Sequence, residues 1–106
     1  MNSDEHRILQ RQAPEAGSRL GLAIATIGQL PINGLRHKVE NGTNGWFIWC
    51  GEKWSDADDF FASLCIEHIT DYLPQVGKYL DLPPGYRFLI DESGYEDIWF
   101  DEALLE

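Results

Sequence analysis

Two cysteines and two internal histidines are the first candidates for chemistry, in the order His37, Cys50, Cys65 and His68. Only Cys65-Ile66-Glu67-His68 has close ligand spacing, whereas structural zinc sites usually bring two close pairs. A metal is therefore not expected, and Cys50 reads as a small buried residue ending a strand. Cys65 beside His68 also has the types of a nucleophile and its base. On one helix they would lie a turn apart, with no glycine loop nearby to hold an oxyanion. Neighbouring carboxylates occur at Asp58/Asp59, Glu96/Asp97 and Asp101/Glu102. General acid–base work needs one carboxyl with a raised pKa in an apolar pocket. Adjacent acids on a strand or loop are more simply read as a solvated, charged face. The glycines match neither the dinucleotide fingerprint nor the phosphate loop. No catalytic residue, metal or cofactor is expected from these patterns. An enzyme or small metal- or ligand-binding domain using Cys65 and His68, with His37, stands as the alternative.

Trp46, Trp49, Trp54 and Trp99 could form a stacking platform for sugars or bases, but core packing is the simpler use of most of them. Trp54 lies among charges and is the one expected to be exposed, as tryptophans at interface hot spots are. The charge around it is uneven. The chain of 106 residues has a formal net charge of −10. Residues 1–40 are nearly balanced, while residues 41–106 hold three Lys/Arg and fourteen Asp/Glu. After Arg87 there is no basic residue at all. Such a field repels phosphate backbones and anionic membranes and attracts basic partners. Neither nucleic acid nor membrane is expected as a partner. No apolar run approaches the ~20 residues that span a bilayer. With no apolar leader and only two cysteines, a cytoplasmic protein with reduced thiols is expected.

The elements that must carry these residues begin at Asn41-Gly-Thr-Asn-Gly45. Its two Asn-Gly steps are strong turn signals. They lead into Trp46–Cys50, read as a central strand, and Leu35–Glu40 alternates before them as its hairpin partner. Residues 1–13 are polar and read as a loose N-terminal segment of a single domain covering 1–106. Leu20, Ala23, Ile24 and Ile27 recur at helical spacing, which predicts a helix over 14–29, with a buried strand from Leu20 to Ile27 as the competing reading. Gly17, Gly21 and Gly28 weaken that helix. A short helix capped by Ser55 would use Phe60, Phe61 and Leu64. A second runs from about Cys65 and breaks at Pro74. Arg87–Ile90, a turn at Asp91–Gly94 and Tyr95–Phe100 make a second hairpin. Asp101–Glu106 would form one helical turn seating Leu104 and Leu105. The expected fold is α+β: a four-stranded antiparallel sheet from two hairpins, with helices packed on one face.

Leu35–Glu52, with its Asn-Gly-Trp-x-x-Trp core, resembles a bacterial immunity-protein-like family of small acidic α+β domains. So do Asp59–Phe61, Ile66–His68, Leu82-Pro-Pro-Gly-Tyr-Arg-Phe-Leu-Ile-Asp91 and Tyr95–Asp101. The likeness covers about residues 35–105. Such proteins are associated with polymorphic toxin systems and contact-dependent competition. The resemblance implies a cytoplasmic inhibitor that neutralises a cognate toxin, often a nuclease, by binding it, and it carries no catalytic residues. The anionic half suits a basic toxin. The contact surface is expected at Trp54, Asp56, Asp58, Asp59, Glu96, Asp97, Asp101 and Glu102.

Overall fold

In the computed structural model, residues 11–40, 43–53, 55 and 59–106 are described. Six strands form one sheet: β1 (Arg19–Leu22), β2 (Ile32–Arg36), β3 (Thr43–Cys50), β4 (Ala62–Cys65), β5 (Tyr86–Ile90) and β6 (Glu96–Phe100). Their order across the sheet is β4-β1-β3-β2-β5-β6. β1 runs parallel to β3, and the other neighbours are antiparallel. A four-stranded, wholly antiparallel sheet is thus overturned. Two hairpins form, as β2–β3 and β5–β6, but the first is displaced from expectation: its leading strand is Ile32–Arg36 rather than 35–40, and Thr43–Gly45 of the expected turn belong to β3. They are joined side by side through β2 and β5, where Ile32 faces Ile90 and Leu35 faces Arg87.

The two additional strands come from stretches whose apolar spacing reads as helical. The 14–29 helix is instead β1 followed by a 3-10 turn at Ile24–Thr26. Leu20 and Leu22 are buried on the main face, and Gly21 between them lies under the Phe47 ring. A Cβ on Gly21 would sit 2.8 Å from Phe47 Cδ1, so the missing side chain admits the ring. The helix expected from Ser55 gives way to β4, whose Leu64 pairs with Leu20. Residues 56–58, which would open that helix, lie outside the described residues, as do residues 1–10 and the Asn41-Gly42 step.

Strand alternation divides the side chains between two faces. Trp46, Ile48 and Cys50 of β3 join the main cluster with Leu20, Leu22, Ile32, Phe88 and Ile90. A short helix, α1 (Ile69–Tyr72), and a 3-10 helix (Pro74–Tyr79) close that face with Ile69, Leu73, Val76 and Tyr79. The expected layer of helices on one face is thus replaced by short helical pieces in a chain that is mostly strand. The other face has a smaller cluster of Ala23, Leu35, Trp49 and Leu104, flanked by Phe47, Phe60 and Phe61. A fully buried large apolar side chain contributes about 1.5–3 kcal/mol. With fifteen buried residues against four, the main face dominates the stability.

Arg36 is buried in this core and ties four segments together. Its Nε donates to the Asn44 carbonyl at 2.8 Å, and Nη1 donates to the carbonyls of Gln12 (2.6 Å) and Leu82 (2.7 Å). Burial lowers its pKa to about 10, with Asp81 opposing the shift. The guanidinium also lies 5.8 Å from the centre of the Trp46 ring.

Candidate functional site

β6 is an edge strand, and it carries four of the expected contact residues at or just beyond its two ends. Glu96 and Asp97 are exposed at its start. The Glu96 carboxylate accepts a hydrogen bond from the Tyr79 hydroxyl and lies 3.6 Å from Lys78 Nζ. The Tyr79 bond is the main cause holding the Glu96 carboxyl below its usual range, and burial together with Glu96 pushes the Tyr79 phenol up. Asp101, past the other end, is committed to the fold. It pairs with Arg87 at 3.2 Å and accepts a bond from the Ala103 amide, starting the Glu102–Leu105 3-10 turn. Glu102 is exposed on that turn, and Leu104 within it is buried as expected. Asp101 lies five residue steps from Glu96, about 17 Å at ~3.3 Å per residue. Asp59 is exposed on the connection into β4. Trp54, Asp56 and Asp58 lie outside the described residues. Glu96 and Asp97 therefore stand at one end of β6, with Asp101 and Glu102 past the other.

The tryptophans are distributed as packing demands. Trp46 is fully buried, its indole N–H donating to the Leu80 carbonyl at 2.9 Å. Trp49 is buried on the opposite face, 6.4 Å from Phe61 between ring centres. Trp99 is half-buried, with the Arg87 guanidinium 5.4 Å from its ring centre. These three form no common stacking platform.

The residues of the alternative, metal- or nucleophile-based reading have separate partners. Cys65 Sγ donates to Glu67 at 2.7 Å, and His68 Nδ1 lies 3.5 Å from Asp71. The Cys65 bond is the main cause lowering the Glu67 pKa. His37 Nδ1 approaches the Leu104 carbonyl at 3.3 Å. Burial raises the Cys50 thiol, and the Cys50 amide donates to Thr26 Oγ1. No group of three or more His, Cys, Asp and Glu among the described residues could hold a metal.

A feature that spacing does not reveal lies at the turn end of the β5–β6 hairpin. There Leu30 and Pro31, just before β2, stand beside Leu89, Asp91, Glu92 and Tyr95 around an open hollow of about 540 Å³. A second hollow of about 410 Å³ shares Leu30 and Glu92 and extends past Ile27 to Tyr72. The hairpin turn is held by Asp91, whose Oδ1 accepts from Ser93 N (2.9 Å), Ser93 Oγ (2.7 Å) and Tyr95 N (3.2 Å). The bond from the Ser93 hydroxyl is the main cause of a lowered Asp91 pKa, so the turn keeps its negative charge.

The domain is thus a six-stranded mixed sheet with Glu96 and Asp97 on an edge strand and an apolar, acid-rimmed hollow at one end. The chain belongs to the Imm33-like domain family, a family named for immunity proteins, whose model matches residues 5–101. Neither the curated proteins nor the solved structures contain a significant match. No helix among the described residues is long and apolar enough to cross a membrane.

Proposed function

We propose that this chain is a non-enzymatic immunity protein of the bacterial cytoplasm that binds and neutralises a cognate toxin. Membership of the Imm33-like family is the observation that carries this reading. The charge distribution supports it and narrows the partner. An anionic surface speeds encounter with a cationic one and disfavours anionic competitors, so the toxin presents a basic surface, as nucleases do. Contact through the acidic second half, including Trp54, Asp56, Asp58, Asp59, Glu96, Asp97 and Glu102, belongs to the same proposal. Asp101 acts within it by shaping the end of β6. The test pairs this chain with the protein encoded by the adjacent gene. Growth arrest on expressing that protein alone, relieved by co-expressing this chain and accompanied by a stable complex in purified form, is the expected outcome. A toxic neighbour that this chain neither binds nor restrains would sink the reading.

A further inference from the structure

We infer that the hollowed end of the sheet, centred on Leu30 and Tyr95 and rimmed by Asp91 and Glu92, is the docking surface for a basic segment of the partner protein. The inference rests on the reading of the chain as a partner-binding immunity protein and adds where the partner sits. Large apolar side chains are unusually exposed here: Tyr95 is 53 % exposed, Tyr72 44 %, Leu30 41 % and Ile27 36 %. They share two adjoining hollows rather than lying scattered. An apolar, tyrosine-bearing centre within a polar rim is the anatomy of a protein interface. Tyrosine is also among the residues that dominate binding energy at such centres.

Charge selects the occupant. Among the described residues, Asp91 and Glu92 are the only side chains of Asp, Glu, Lys, Arg or His type lining either hollow, and Glu96 and Asp97 follow directly on the same hairpin. No Lys or Arg among the described residues lines either hollow. A second copy of this acidic chain would bring like charges together, which costs rather than stabilises. A segment with an apolar side chain flanked by Lys or Arg would fill the hollow and pair with the rim. The Asp91 turn already fixes the hairpin, so little ordering is needed on binding.

The experiment measures affinity for the protein encoded by the adjacent gene, using the wild-type chain, Leu30→Ser/Tyr95→Ala, Glu92→Lys and Glu40→Lys. Glu40 is exposed beyond Arg36, past the end of β2 opposite Ile32 and the hollow, so its reversal changes net charge equally at a distant place. The expected result is a loss of about tenfold or more for the first two variants and about twofold or less for Glu40→Lys. Hydrogen exchange on the unmutated complex should show new protection over residues 27–32 and 91–95. Wild-type affinity in both hollow variants, with protection elsewhere, overturns this inference and leaves the immunity reading standing. No binding by the wild-type chain overturns both. Self-association of the chain alone, abolished by Leu30→Ser/Tyr95→Ala, would assign the surface to a second copy and also overturn the inference.

Discussion

Glu96 shows how one carboxylate can be both surface charge and structural tie. Its partner Tyr79 is buried in the main core, stacked on Phe88 at 4.7 Å between ring centres and nearly parallel to it. The Tyr79 hydroxyl reaches out of the core to donate to Glu96, so β6 is pinned to the 3-10 helix from Pro74 to Tyr79. The bond favours the ionised carboxylate and depresses its folded pKa below the ordinary value of 4.5. A depressed acid contributes stability above its unfolded pKa and loses it as pH falls through the folded pKa. Tyr79→Phe keeps the stacked ring and removes the donor. Its unfolding midpoint should lie below wild type at pH 7, and the gap should close as pH drops from about 5 to below 4. A gap independent of pH would mean that the hydroxyl acts through packing instead.

Whole strands here depend on single missing side chains. Gly34 in β2 faces Phe88 in β5, and a Cβ there would run into the Phe88 ring. Gly34→Ala should therefore overpack the main face and cost about 1–3 kcal/mol in urea unfolding. Phe88→Leu should restore part of that loss in the double variant, because the two sites share one space. Additive losses would show that the clash relaxes elsewhere. Gly45 follows a different logic: it has φ +87°, and a Cβ would strike the His37 carbonyl. The β5–β6 hairpin was legible because apolar residues flank the Asp91–Gly94 turn, and the closing turn was legible from Leu104. Of the first hairpin β3 was legible, but the alternation of Leu35, His37 and Val39 points to a partner at 35–40, whereas the strand is Ile32–Arg36. β1 and β4 were not legible. Leu20 and Leu22 alternate, but with Ala23, Ile24 and Ile27 they also fit a 3.6-residue period, and only pairing with β3 and β4 settles the choice. β4, Ala-Ser-Leu-Cys, has little intrinsic strand preference and is recruited by its neighbour. Of the site, the acidic half-chain was legible as composition. The hollow was not, because it joins residues 27–32, 72 and 89–95. The first and last of these meet through the β2–β5 register, where Ile32 faces Ile90, and Tyr72 is brought in by α1.

Charge and shape make separable demands on a partner for the molecule taken as one body. A formal net charge of −10 acts over a distance, guiding a cationic protein before any contact forms. Ions screen that guidance, since the Debye length falls from about 10 Å at 0.1 M to about 3 Å at 1 M. The apolar centre at Leu30 and Tyr95 acts only after contact, and salt weakens it little. For the complex with the proposed toxin partner, the association rate should fall about tenfold or more between 50 mM and 500 mM salt. The dissociation rate should change by about threefold or less. Glu92→Lys combined with Asp97→Lys should slow association and flatten its salt dependence. Leu30→Ser/Tyr95→Ala should instead speed dissociation and leave the salt slope intact. Stopped-flow mixing of the wild-type chain and these two variants at both salt concentrations separates these effects. An association rate indifferent to salt would remove charge from recognition, and the acidic half would then serve solubility alone.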